Sequence, residues 1–213
     1  MFGWLGSGTG PDAPETGAPG PGRTGLAGAV RVATPDGWRP VGEIEPGDDI
    51  LTFDAGLQRV ETVFSEPVWP GTGPCPPALW PVEVAPGVLG NRDLIHLAPD
   101  QLFLIESDEA EARTGDPFAL LSAESLADLP GIHRAPPAPE AVMVSLGFAV
   151  EQIVFAGGGA MLHCPGAAPD LLDDAPRALR YPRLGAREAR AVAARLAGGP
   201  DQARSAGLPG IRS

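Results

Sequence analysis

No lysine occurs in the 213 residues; all 15 basic side chains are arginine. That absence excludes Schiff-base enzymes, P-loop nucleotide binding and any cofactor tethered through a lysine amine. Cysteine is nearly as scarce. Cys75 and Cys164 are too few for a disulfide framework, and whether they pair is left open. Aromatic residues make up 6% of the chain. No stretch approaches the roughly 18 apolar residues that a membrane helix needs, so no membrane partner is expected. The first ten residues have neither a basic start nor a sustained apolar run, which reads as no signal peptide. The expected location is cytoplasmic, or outside the cell by export without a recognisable signal peptide.

Acid dominates what is present. The net charge is −12 and the pI about 4.6, which disfavours a phosphate backbone; no nucleic-acid partner is expected. Gly (29) and Pro (26) form about a quarter of the chain, roughly twice ordinary usage. A hydrophobic fraction of 43%, at a mean hydropathy of +0.01, still suffices for a core. Residues 1–24 carry seven Gly and four Pro without apolar periodicity and read as a disordered leader. The expected organisation is that leader, a β domain over 25–165, an extension with a helix over 166–197, and a flexible tail over 198–213.

From Ala29 the texture becomes regular. Residues 29–33, 38–44, 50–53, 58–65, 82–84, 93–97, 102–105, 142–148 and 150–155 read as strands. Pro35-Asp36-Gly37, Pro46-Gly47-Asp48 and Asp54-Ala55-Gly56 read as turns between them. Six Pro within residues 66–81 forbid a regular ladder and imply a surface excursion. Residues 122–129 open like a short capped helix, and 185–196 read as a terminal helix with Leu184, Val192 and Leu196 on its apolar face. Trp38 and Phe53 are expected in the core near Val32 and Ile50. Many short strands with Gly/Pro turns indicate an all-β domain.

The run over residues 30–48, with Thr34-Pro35-Asp36-Gly37 and Pro46-Gly47-Asp48 at its turns, resembles the opening of a Hint (hedgehog/intein) domain of the bacterial stand-alone branch. The resemblance continues through Gly87-Val88-Leu89-Gly90-Asn91-Arg92-Asp93-Leu94, then Ala98-Pro99-Asp100-Gln101 where that branch usually has Ser-Pro-Gln-His. It takes in Asp128-Leu129-Pro130-Gly131-Ile132, Glu151-Gln152-Ile153-Val154-Phe155-Ala156 and Arg187-Glu188-Ala189-Arg190-Ala191. These segments span roughly residues 25–196 in the family's order. The resemblance implies an all-β horseshoe of short strands that brings the N-terminal nucleophile beside mid-chain residues, with a short C-terminal helix.

It also implies an activity, autoproteolysis or splicing, whose residues are replaced here. The family's first residue is a Cys that attacks the preceding carbonyl; the matching position is Gly25, which has no side chain. The family's mid-chain His protonates the departing amide nitrogen; its position is Gln101, whose amide delivers no proton at neutral pH. The motif's Ser is Ala98, and a later position that usually holds His is Glu151. Three residues are fallbacks. Thr24 is a hydroxyl one residue early, and His96 sits in a strand near Ala98. Asp100 serves as an acid only if burial raises its pKa by several units.

Other groupings carry less. Cys75, His96, His133, His163 and Cys164 are metal-ligand types without metal spacing, so no metal and no cofactor are expected. Gly157-Gly158-Gly159 lacks the helix and lysine of a phosphate cradle and reads as a hairpin turn. The acidic groups at 108–111 and 170–174 read as solvated faces. The resulting expectation is a degenerate Hint domain without self-cleavage, kept as a binding or structural module. A protein is the one partner class left open, and the oligomeric state is undetermined. The alternative is an active autoprocessing domain using a non-standard nucleophile such as Thr24.

Overall fold

The computed structural model of the chain describes residues 24–127, 129–166 and 179–198. The expected leader up to residue 23, Asp128, the acidic group at 170–174 and the tail from 199 lie outside the described residues. Fourteen strands follow one another among those described: β1 (Leu26–Ala27), β2 (Arg31–Thr34), β3 (Gly37–Pro40), β4 (Asp49–Thr52), β5 (Gly56–Arg59), β6 (Thr62–Pro67), β7 (Val82–Val84), β8 (Ile95–Leu97), β9 (Leu102–Glu106), β10 (Phe118–Ser122), β11 (Ile132–Arg134), β12 (Val142–Gly147), β13 (Gln152–Ala156) and β14 (Ala160–Cys164). Three α-helices accompany them, α1 (Asp108–Thr114), α2 (Ala123–Leu126) and α3 (Ala186–Gly198), with single 3-10 turns at Val41–Glu43 and Pro77–Leu79.

The strands build two antiparallel sheets. The first has the order β11-β7-β8-β1-β12-β6, and the second β10-β9-β14-β13-β2-β3, with the β4–β5 hairpin joined to β13. The turn chemistry explains the register. Thr34 and Gly37 pair across β2 and β3 with only Pro35 and Asp36 between them; the Thr34 hydroxyl donates to the Gly37 carbonyl at 2.8 Å. Gly157-Gly158-Gly159 does turn β13 into β14, so that Ala156 pairs with Ala160.

Both sheets contribute to one core. Leu26, Leu97, Val144 and Leu146 of the first sheet and Val32, Phe103, Leu121, Val154 and Leu162 of the second belong to one buried cluster, which α3 joins through Ala189, Val192 and Ala193. A smaller cluster of alternate residues (Leu102, Leu104, Leu120 and Ile153) gathers Tyr181 with the partly buried Phe53, Phe118 and Met161. The second sheet is thus apolar on two faces, as period-2 alternation between core residues and a second apolar set requires.

Several expectations change in detail. Trp38 is half-buried rather than buried, because β3 ends the second sheet. Phe53 is also half-buried, set edge-on against Phe118 with centroids 5.5 Å apart. β1, β10, β11 and β14 were not expected as strands. The acidic group at 108–111 lies in the first turn of α1, which Ser107 caps by accepting from the Glu109 amide and Gly115 closes at φ +79°. The terminal helix runs Ala186–Gly198, slightly later than expected. No described helix is long and apolar enough to cross a membrane.

Truncating Phe103, fully enclosed between strands, should cost about 3–5 kcal/mol in urea unfolding. Trp38→Ala should cost clearly less, since its side chain is only partly buried at the edge strand β3. Equal losses for the two would contradict the placement of Trp38 at the sheet edge.

Candidate functional site

The site is assembled around the shortest strand. Gly25 precedes β1, which is inserted between β8 and β12 with Leu26 opposite both Leu97 and Val144. Ala98 follows β8, and its amide donates to the Gly25 carbonyl at 2.9 Å. Gln101 closes the turn into β9; its amide donates to the Ala98 carbonyl at 3.0 Å, and its carbonyl accepts from Ala123 at the start of α2. Gly25, Ala98 and Gln101, more than seventy residues apart along the chain at the extremes, therefore meet at one point.

The Gln101 side chain is buried and fully used. Its Nε2 donates to the carbonyls of Leu102 (3.1 Å) and His163 (2.8 Å), and its Oε1 accepts from the Gly25 amide at 3.0 Å. Two carbonyl acceptors on one side and an N–H donor on the other fix which way the amide points. The nitrogen of the Thr24–Gly25 peptide thus faces an acceptor, whereas protonating a departing nitrogen needs a donor.

Residue 25 itself has no room for a side chain. Its φ of +122° favours glycine, and a Cβ there would stand 2.9 Å from the Val144 carbonyl oxygen and 3.0 Å from the Ser145 hydroxyl. That hydroxyl donates to the Thr24 carbonyl oxygen at 3.3 Å. Both polar ends of the Thr24–Gly25 peptide are consequently held, by Gln101 on the nitrogen side and Ser145 on the oxygen side. Sequence reading passed over Ser145. Its only signal is a lone hydroxyl within the apolar run Met143-Val144-Ser145-Leu146.

Glu151 stands one link further out. It precedes β13 and places Oε2 3.1 Å from His163 Nε2, while Oε1 accepts from the Arg180 amide. His163, on β14, joins the two halves of the arrangement, since its carbonyl receives Gln101. A shallow cleft here is lined by Asp54, Glu151, Gln152, Ile153, His163, Arg180 and Tyr181. Within it the Tyr181 hydroxyl donates to Asp54 Oδ1 at 2.6 Å. Burial, that hydrogen bond and the Asp54 charge push the Tyr181 phenol up to about 12.

The fallback residues lie elsewhere or play other parts. His96 Nε2 is 3.0 Å from Glu83 Oε2 on β7, which lies on the opposite side of β8 from β1. His133 on β11 approaches the other oxygen of Glu83 at 3.4 Å. Asp100 is half-buried in the β8–β9 turn. Thr24 contributes its carbonyl to Ser145. Cys75 and Cys164 are both free thiols, and burial pushes Cys164 up to about 12, far from the thiolate form that nucleophiles and metal ligands need. Among the described residues no three His, Cys, Asp or Glu side chains assemble a metal site.

Two measurements test this geometry. Gly25→Ala should destabilise the fold by about 2 kcal/mol or more, combining a disfavoured φ with a steric conflict at Val144. A neutral result in urea titration would mean that the backbone at 25 is free to relax. Tyr181 supplies a pH dependence. Its folded pKa lies above the ordinary value near 10, so its contribution is complete below pH 10 and is lost as pH rises toward 12. Tyr181→Phe should therefore be less stable than the parent at pH 8, and the gap should narrow above pH 10.

Comparison with known proteins follows the same outline. The model of the Hint domain family matches residues 25–161. Similar solved structures include a bacterial intein-like domain from Clostridium thermocellum (11% identity, 66% of this chain and 98% of that one, TM-score 0.46). They also include the MchDnaB-1 intein (16% identity, 65% and 98%, TM-score 0.41) and the gp41-1 intein (14% identity, 67% and 98%, TM-score 0.39). No curated protein matches the chain. With its match beginning at the glycine that Gln101 holds and covering well over half of the residues, the chain belongs to the Hint domain family.

Proposed function

We propose that this Hint domain grips the Thr24–Gly25 peptide without cleaving it and serves as a folded binding module for a protein partner. The observation that carries this reading is the direction of one hydrogen bond: Gln101 Oε1 accepts from the Gly25 amide. A family-type cleavage needs a nucleophile on the carbonyl side and a proton donor on the nitrogen side. Gly25 supplies no nucleophile. A positioned general acid contributes about 10²–10⁴-fold, or roughly 3–5 kcal/mol of barrier, and an acceptor at that point supplies none of it. The retained contacts instead hold β1 between β8 and β12.

The alternative, attack by the Thr24 hydroxyl, acts on the bond between residues 23 and 24. It lies one peptide away from the amide and carbonyl that Gln101 and Ser145 hold. The two routes leave chains that differ by one residue, so intact mass separates them.

Incubation of the full chain with hydroxylamine or thiol should leave its mass unchanged. Gly25→Cys alone should also remain uncleaved, because Gln101 still faces the nitrogen and residue 25 remains crowded. Gly25→Cys with Gln101→His should exceed either single change, since attack and leaving-group protonation act as a unit. It should still be slow, because the surrounding shell is not built to catalytic tolerance. Efficient cleavage of the unmodified chain before residue 25 would overturn the non-cleaving reading.

A further inference from the structure

The second sheet carries an apolar outer face that the Hint core does not use. Leu102 and Leu104 of β9, Leu120 of β10 and Ile153 of β13 form it, with Phe53 and Phe118 at its margin. One aromatic side chain covers it: Tyr181, 8% exposed, with its ring set against Phe118 at 5.8 Å. That residue belongs to the segment 179–184, which lies beyond the residues matched by the family model.

The segment is seated like a bound peptide. β10 ends its sheet, and the polar groups of Leu120 on that edge are both taken by the segment. The Leu120 amide donates to the Pro182 carbonyl at 2.8 Å and the Leu184 amide donates to the Leu120 carbonyl at 3.0 Å, placing Arg183 parallel to Leu120. Acid fixes the other end. The Arg180 guanidinium is 3.5 Å from Asp54, its backbone amide donates to Glu151, and Asp54 also accepts from the Tyr181 hydroxyl. Backbone pairing at a sheet edge with one aromatic pocket and one charge pocket is the arrangement by which sheets recognise extended peptides.

We propose that the β10 edge, the Tyr181 pocket and the Asp54/Glu151 cleft together form a docking groove for extended protein segments bearing an arginine–aromatic pair, filled in this chain by its own residues 179–184. This rests on the reading of the domain as a binding module and names its partner class. Asp54, which pairs with the Arg180 guanidinium, sets the preference for arginine, Glu151 takes the backbone amide of the same residue, and the apolar floor sets the requirement for the adjacent ring. The tethered segment competes at a high effective concentration, so an external segment binds the parent chain weakly and binds tightly once the tethered one is weakened.

The probe is a fluorescein-labelled peptide of the sequence Leu-Arg-Tyr-Pro-Arg-Leu-Gly-Ala, titrated by anisotropy against the full chain. Tyr181→Ala in the protein should tighten peptide binding by about tenfold or more over the parent. Replacing the peptide's tyrosine by alanine should abolish that gain, and adding Asp54→Asn to the Tyr181→Ala chain should weaken binding severalfold. Equal or absent binding by the parent and a folded Tyr181→Ala chain would overturn the proposal. Should Tyr181→Ala fail to fold, hydrogen exchange of the parent decides. Amides of Leu120 and Leu184 exchanging more than about tenfold faster than Leu162 would support a segment that lifts locally, and equal rates would overturn it. A parent dimer that dissociates in Tyr181→Ala would put a second copy's segment in the groove and overturn the assignment to a separate partner. Intact mass of the same samples tests the non-cleaving reading separately, since peptide binding and cleavage at residue 25 do not depend on each other.

Discussion

A single buried amide side chain ties the molecule together. Gln101 bonds at once to Gly25 ahead of β1, to Leu102 on β9 and to His163 on β14, so one group links the first sheet to two strands of the second. The Gly25 and Leu102 groups are buried there and would be costly to leave unpaired, at about 1–3 kcal/mol apiece. The constraint explains why a two-residue strand holds a central place in a six-stranded sheet. β1 makes few ladder bonds of its own and is secured at its entrance by side chains reaching from elsewhere. The contact that secures β1 also sets the polarity of the site, because the group that faces the Gly25 nitrogen is an acceptor.

Much of this was legible in the residues. The turn signals at Pro35-Asp36-Gly37 and Gly157-Gly158-Gly159 work locally, through backbone preference, and the hairpins they imply are present. The resemblance to the Hint pattern pointed to Gly25, counted back from Thr34, and to Gln101, at the end of Ala98-Pro99-Asp100-Gln101, and the structure brings those positions together. What escaped depended on partners far apart in sequence. Ser145 is one hydroxyl in an apolar strand until the Thr24 carbonyl lies beside it. β10 reads as a strand only once β9 pairs with it along five residues. Trp38 was misplaced for a related reason, since hydrophobicity does not reveal which strand ends a sheet.

The cross-strand row His96–Glu83–His133 shows the same limit from the other side. Register places the three side chains abreast on β8, β7 and β11, with one carboxylate between two imidazoles. Nothing in the spacing of residues 83, 96 and 133 announces this. The arrangement gives His96 a carboxylate partner and leaves β7 and β11 joined by polar as well as backbone contacts. These rings are partly exposed, so the pairs add little to stability and chiefly fix orientation.

The backbone at residue 25 also governs how the domain can change. A peptide unit held at φ +122° against a neighbouring carbonyl admits no larger residue unless β12 shifts first. Such a shift would release the Ser145 contact and loosen β1. Replacing this glycine by any residue with a side chain therefore lowers the stability of the fold unless β12 moves with it. In the space of neighbouring sequences the glycine acts as a latch, released only by several coordinated changes.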